Sequence, residues 1–377
     1  MEEQKTLNTF GDKAKKVLTS ILKALKNETF LYILRRVISS LITAILIVAV
    51  VTALIRLLPE TLLYDIRLFN KLPEKAAERY KISCLFQYGR CDLLGNPISV
   101  LENIGQYIYW MLPIPKKIPI VWDTKYKEVI EYWEGTVYFG RSIVLNKYVT
   151  EMLTERMGIS MKVTLITVFF TYLIGYPFGI AMSKKPGGLV DKIGNVFIVL
   201  NYAIPALVFY LFMKNILGDQ NGIFGFLKLG LFYEEGNPIT LVPPIFCMVF
   251  LSIPGVIIWL RRFMIDELSS DYVKFARSKG LSENRIMYTH VLRNAIVPLV
   301  RNIPATFIGA IVGSYFVEKI WSIPGTGILL ITALQGDPDV PVVQGLTVIY
   351  ALLGMASFLL GDIITVFFDP RIKIKAE

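Results

Sequence analysis

Six stretches of the chain are apolar over lengths that cross a hydrocarbon core: Val37 to Ile55, Val163 to Met182, Val196 to Leu217, Leu241 to Leu260, Ile296 to Val317 and Val342 to Phe368. A helix rises ~1.5 Å per residue, so about 20 residues suffice for each crossing. Arg301 and Asn302 interrupt the fifth stretch, and Pro177, Pro205, Pro254 and Pro304 lie inside the second to the fifth in turn. Membrane helices tolerate such prolines when neighbouring helices satisfy the freed carbonyls, which favours a packed bundle over separate anchors. The pattern predicts an all-α, polytopic membrane helix bundle with six transmembrane helices. Its divisions are a polar lead over 1–36, a first transmembrane helix over 37–57, a small extracytoplasmic domain over 58–161, a five-helix core over 162–368 and a tail over 369–377.

The segment between the first two spans is far longer than a connector needs. Its aromatic residues, among them Tyr80, Phe86, Tyr88, Tyr107, Tyr109, Trp110, Trp122, Tyr126, Tyr132, Trp133, Tyr138 and Phe139, suffice for a modest core or for a surface lying on the lipid headgroups. Cys84 and Cys91 stand close together there, where oxidation is permitted; a disulfide and two free thiols both fit the spacing. In the polar lead, Ala14, Val17, Leu18, Ile21, Leu22 and Leu25 recur at helical spacing opposite lysines. That pattern fits a helix lying on membrane lipid equally with one packed on a partner.

Composition agrees with a lipid solvent: of 377 residues, 54% are hydrophobic, and the mean hydropathy is +0.53. The net charge of +10 could signal nucleic acid, but its distribution argues for no nucleic-acid partner. Lysines and arginines gather at alternate ends of the spans: before the first, between the second and third, between the fourth and fifth, and after the sixth. By the positive-inside rule, both termini are expected in the cytoplasm. The long lead without a small-residue cleavage site reads as a retained anchor, not a cleaved signal.

The polar segment between the fourth and fifth spans, 261–295, carries the most specific pattern. Leu268, Tyr272, Phe275 and Ala276 recur at helical spacing, and Gly280 ends the run, glycine being the residue that most readily takes the left-handed C-terminal conformation. Ser282 is placed to cap a following helix. Two short helices with a bend between them are predicted.

The stretch from Asp271 to Arg285, DYVKFARSKGLSENR, followed by His290 to Pro298, HVLRNAIVP, resembles the signature loop of binding-protein-dependent ABC permeases, specifically the oligopeptide/dipeptide form. Leu57-Leu58-Pro59, Gly140-Arg141-Ser142, Trp321 to Gly327, Asp339 to Gly345 and Asp369-Pro370-Arg371 keep the order of the family's B-type subunit. The chain departs from the general pattern at Lys274-Phe275-Ala276, where a Glu-Ala-Ala triplet is usual, and at Arg293, where a proline is usual; both changes fit the peptide subgroup. It departs again in the outside segment, which is enlarged between Trp110 and Gly135 and from about Asn70 to Pro97.

The resemblance implies the fold of a type I ABC importer permease and a coupling loop that docks on a separate ATPase. Lys274, Ala276, Arg277, Gly280, Leu281 and Arg285 are the expected contacts. The implied partners are a second homologous permease, two cytoplasmic ATPases and an extracytoplasmic substrate-binding lipoprotein, in a bacterial cytoplasmic membrane. No phosphate-cradling Gly-x-x-x-x-Gly-Lys loop is present, so ATP and Mg are expected on the partners and no cofactor on this chain. With the single histidine His290 in a polar loop and no His-Glu-x-x-His pattern, an intramembrane zinc protease is excluded. An ion-coupled secondary transporter would show an inverted repeat, and none is evident. Polar residues inside spans mark candidates for the pathway or the permease interface: Asn201, Arg301, Asn302, Gln344 and Asp362. Arg301 and Asp362 also fit structural pairing near a membrane face. Nickel or glutathione are alternative cargoes within the same subgroup.

Overall fold

A computed structural model of the chain describes residues 28–92, 94–123, 128–219, 222, 224–313, 315–335 and 338–368. The lead helix expected around Ala14 to Leu25 and the Asp369-Pro370-Arg371 end lie outside the described residues.

Among the described residues, four helices are long and apolar enough to cross a membrane unbroken: α1 (Glu28–Arg56), α5 (Val149–Lys184), α8 (Val242–Leu268) and α15 (Val340–Phe368). Between α1 and α5 lie α2 (Ile66–Lys71), α3 (Glu74–Gln87), α4 (Val100–Met111), β1 (Lys116–Asp123) and β2 (Glu128–Gly135). After α5 come α6 (Leu189–Ala203) and α7 (Ala206–Gly218). Beyond α8 come α9 (Asp271–Ser278), α10 (Glu283–Arg285), a π-helical turn over Ile286–Val291, α11 (Leu292–Ala295), α12 (Val297–Gly313), α13 (Tyr315–Trp321) and α14 (Thr326–Leu334). Two bent pairs, α6 with α7 and α13 with α14, raise the candidate spans to as many as six.

The third expected span is therefore not one straight helix: α6 and α7 meet at 97°. Proline lacks an N–H and pushes the residue before it out of the helical region; Ile204 is extended at φ −85°, ψ 121°, and Pro205 starts the next helix. Pro177, Pro254 and Pro304 instead sit inside continuous helices. Where the fifth span was expected, α12 has 17 residues, the lower end of spanning lengths. Beyond it, α13 and α14 form an elbow of 94° that periodicity did not foresee.

The aromatic residues between α1 and α5 do form a core. Tyr107, Trp110, Trp133, Tyr138 and Phe139 are buried, with Trp110 packed edge-on against Tyr138 at 5.1 Å between ring centres. Tyr109 and Tyr132 stay exposed. β1 and β2 form an antiparallel hairpin, with Ile118 opposite Trp133, that the sequence reading lacked. Lys116 is buried at its base, and its ammonium donates to the Tyr109, Trp110 and Leu112 carbonyls at 2.6–2.8 Å, capping the orphan acceptors at the end of α4.

This unit is mounted firmly on the helices. Arg90 donates to the Ile55 and Leu58 carbonyls at the end of α1, at 3.0 and 2.7 Å, and Arg56 reaches back to the Gly89 and Ile98 carbonyls. Its core is continuous with Val149, Met152, Val340, Val342 and Leu346 of α5 and α15. Helix α5 already begins at Val149, inside the segment assigned to the outer domain.

Candidate coupling and pathway site

Helix α8 ends at Leu268, and the chain turns extended at Ser270 (φ −73°, ψ 153°) before α9 begins. That break resets the helical phase. Val273 and Ala276, three residues apart, face inward, in one cluster with Leu260, Met264, Ile286, Met287, Val291 and Leu299. Phe275 points outward, 60% exposed, with the Lys279 ammonium 4.3 Å from its ring centre. Of the apolar residues that share helical spacing, Phe275 therefore stands off the buried face, and Ala276, expected at a partner contact, packs on the bundle.

The C-terminus of α9 closes as a Schellman motif. Gly280 donates to the Arg277 carbonyl at 2.9 Å and Leu281 to the Ala276 carbonyl at 3.3 Å, while Gly280 adopts φ +75°. A side chain at that φ is strained, although a Cβ there meets nothing within 4 Å. Half-buried Leu281 packs on the cluster that holds Ala276.

Arg277 crosses the bend to Glu283 with two hydrogen bonds, 2.8 and 3.2 Å. That contact holds the Glu283 carboxyl below the usual range and raises the guanidinium. Lys274 pairs with Asp271 at 2.8 Å, which lowers the Asp271 carboxyl. Arg285 is exposed on α10. Ser282 occupies the position before α10, but its side chain makes no capping hydrogen bond, contrary to expectation. The π turn behind it, Ile286–Val291, buries Ile286, Met287 and Val291. The outcome is a short projecting helix with an apolar footing and an exposed face of Lys274, Phe275, Ser278, Lys279 and Gly280.

The five polar candidates within spans separate into two kinds. Arg301 on α12 donates to Asp362 on α15 at 2.9 Å, and Arg36 on α1 holds the other carboxylate oxygen at 3.3 Å. Gly361 makes this approach feasible, because a Cβ there would stand 2.4 Å from the Arg301 carbonyl oxygen. Arg301 and exposed Asn302 also line a cavity of about 380 Å³ with Val297, Pro298, Phe358 and Thr365. Asn201 and Gln344, by contrast, are buried. The Asn201 amide donates to the Phe250 carbonyl at 3.0 Å and ties α6 to α8 just before the Pro205 bend.

Three buried acids were missed. Glu318 on α13 accepts from the Ser160 hydroxyl and the Ile328 N–H, both at 2.8 Å, joining α5, α13 and the start of α14. Asp191 on α6 takes a two-point contact from Arg261 on α8, 2.5 and 2.8 Å. Asp339, before α15, accepts from the Ser142 hydroxyl and from the Ile143 N–H at 3.2 Å, so two stretches quoted for the resemblance meet in space. An acid beside an apolar run was the signal available for each. The cysteines are separate thiols: Cys91 is buried with its sulfur 3.7 Å from the Ile82 carbonyl, and burial pushes both Cys84 and Cys91 up to about 11.

Comparison with known proteins adds the following. A family model described as "Binding-protein-dependent transport system inner membrane component" matches residues 175–374, leaving α1 to β2 outside the match. The chain is 32% identical over 237 residues to the dipeptide transport system permease protein DppB of Lactococcus lactis subsp. cremoris (strain MG1363), covering 63% of this chain and 76% of that protein. It is 31% identical over 260 residues to the oligopeptide transport system permease protein AppB of Bacillus subtilis (strain 168), covering 67% and 81%. It is 36% identical over 220 residues to the oligopeptide transport system permease protein AmiC of Streptococcus pneumoniae serotype 4 (strain ATCC BAA-334 / TIGR4), covering 58% of this chain but 43% of that protein.

Proposed function

Since the chain belongs to the binding-protein-dependent transport system inner membrane component family, we propose that it is the permease subunit of an ATP-driven importer of oligopeptides or dipeptides. Membership makes it a multi-pass inner-membrane permease of an ABC importer, and its relatives are transport permease subunits. The peptide cargo rests on the names of its relatives.

The observation that carries the coupling part is the projecting α9. Its apolar side is anchored in the bundle through Val273 and Ala276, while Lys274, Phe275, Lys279 and Gly280 face out. A stiff lever of this kind transmits a push from a partner into α8 and α12. In this reading two cytoplasmic ATPases, carrying the ATP and Mg, grip this helix and its counterpart on a second permease. Nucleotide binding then biases a two-state rocking between inward-facing and outward-facing forms. A lipoprotein outside delivers the peptide, and both termini lie in the cytoplasm. Arg301 and Asn302 line the pathway at the α12–α15 cavity, and the bonds of Asp362 to Arg36 and Arg301 hold that wall in place.

Uptake of labelled di- to pentapeptides by a strain lacking this gene, with and without a plasmid copy, tests the cargo. Restored peptide uptake is the expected result. Normal peptide uptake in the deletion, with loss of nickel or glutathione uptake instead, would redirect the assignment to that solute.

A further inference from the structure

Helix α4 carries its apolar residues on the side turned away from the protein. Asn103, Tyr107 and Trp110 recur at helical spacing and form its buried face, and the polar Asn103 and Gln106 side chains both turn toward Gly89. On the opposite side Leu101, Tyr109 and Leu112 are 80%, 48% and 45% exposed, with Ile104 and Ile108 half-buried beside them. A helix between protein and water turns its apolar side inward. Here the polarity is reversed, so the outward face calls for an apolar neighbour.

The spans beside α4 fix its level. Helix α1 packs along α15, and Arg36 meets Asp362 at 3.3 Å at one end of the pair. At the helical rise, Arg56 stands roughly 30 Å from Arg36, and Gly345 about 26 Å from Asp362, both close to the thickness of a hydrocarbon core. Arg56 and Gly345 therefore mark nearly the same membrane face. The start of α4 is tied there, because the Ile98 carbonyl accepts from Arg56. So is its end: the Trp110 carbonyl accepts from the Tyr138 N–H at 3.0 Å, and the adjoining Phe139 packs on Gly345, where a Cβ would stand 3.4 Å from the Phe139 Cβ. With both ends at one level, α4 lies along the membrane face and does not cross it.

The surroundings of α4 suit phospholipid. Leu54 and Leu57, 58% and 79% exposed, flank Arg56 and carry the exposed apolar side of α1, with Leu46 and Val50, up to this level. Arg56 and Arg90 bond to backbone carbonyls, and neither has a carboxylate within ion-pair distance among the described residues. Glu60, the acid that acts on Arg90 from farther off, pairs with Lys81 at 3.2 Å. Two guanidinium groups at the rim of an apolar surface complement lipid phosphates.

We propose that α4 is an interfacial helix, seated with Leu101, Tyr109 and Leu112 among the acyl chains of the leaflet on its side, and that it holds the unit between α1 and α5 on the phospholipid surface. This gives a role to part of the segment that the family match leaves out, and it depends on neither the cargo nor the coupling reading.

The test uses the full-length chain in phospholipid nanodiscs, with the environment-sensitive fluorophore NBD attached in turn to Leu101→Cys, Leu112→Cys and Glu74→Cys. Glu74, exposed at the start of α3, is the water-facing reference. Cys84, Cys91 and Cys247 are not exposed, so the parent chain serves as the labelling blank. At 101 and 112, lipid carrying a nitroxide near the headgroup end of its chain should reduce emission roughly twofold or more, and aqueous iodide should have little effect. At 74 the order should reverse. Quenching by iodide and not by the nitroxide lipid at 101 and 112 would show a solvated face and overturn the proposal. Shielding of both probes from both quenchers would show a protein-covered face and overturn it equally.

Discussion

Asp362 on the last span is bonded to Arg301 on α12 at 2.9 Å and shares its second oxygen with Arg36 of α1 at 3.3 Å. One carboxylate thus joins three helices. The acid is largely buried, while both arginines are about half exposed, so solvent screening reduces the value of each pair. Asp362→Asn should destabilise the chain by about 1–2 kcal/mol. Thermal unfolding in detergent reads this, and the double variant with Arg301→Ala should show non-additivity of about 0.5–2 kcal/mol. Strict additivity would mean that the two residues act separately.

Glu318 should be harder to replace. Its oxygens accept from Ser160 and from the Ile328 N–H within a buried elbow. In Glu318→Gln one acceptor becomes a donor facing one of these partners, a loss of about 2 kcal/mol or more. Protease cleavage within 315–334 is the expected sign of a loosened elbow; a cleavage pattern like that of the parent chain would count against this role.

The junction of Ser142 with Asp339 should respond to pH. Burial raises the Asp339 carboxyl above the ordinary carboxylate value, against the opposing pull of its Ser142 bond. A carboxyl raised by folding favours the protonated folded form. Its contribution is full below the unfolded value of about 3.9 and is lost as pH rises through the raised folded value. Asp339→Asn should remove that part of the pH dependence of thermal stability and leave the rest. An unchanged profile in the variant would contradict the account of this junction.

Cys84 and Cys91 should be slow to alkylate. With both thiols pushed up to about 11 by burial, roughly one molecule in a thousand carries the thiolate at pH 8. Iodoacetamide labelling should rise sharply on unfolding, without prior reduction. A requirement for reductant would show a bridge between them.

The spans were legible because lipid demands long apolar runs, a constraint that acts along the sequence itself. The family, too, was readable from the Asp271 to Pro298 loop and the ordered matches around it. The bend at Pro205 was not, since Pro177, Pro254 and Pro304 are accommodated in continuous helices and only packing separates the cases. Phe275 stands off the buried face because the helical phase restarts at the Ser270 break, which spacing counted from Leu268 does not register. Glu318 escaped notice because its partner Ser160 is 158 positions away. The β1–β2 hairpin was hidden by a first strand, KKIPIVWD, that does not alternate apolar with polar residues.

At Gly280 the φ of +75° is the part of the turn after α9 that sequence chemistry anticipated. Gly280→Val forces a branched side chain into the left-handed region, at a cost of about 1–2 kcal/mol or more. The open surroundings mean that the strain acts on the turn and not on the packing. The variant should assemble with its partners, as judged by co-purification, and lose most ATP-driven uptake. Full uptake would remove the turn from the coupling scheme.

The central claim, that this chain is the permease of an ATP-driven peptide importer, is tested most directly by reconstitution. Proteoliposomes containing the chain with its second permease, ATPases and binding protein should accumulate labelled peptide on the binding-protein side's opposite face only when ATP is supplied, and should fail to do so without the ATPases. Peptide accumulation by the chain alone, driven by an imposed ion gradient and indifferent to ATP, would contradict the account.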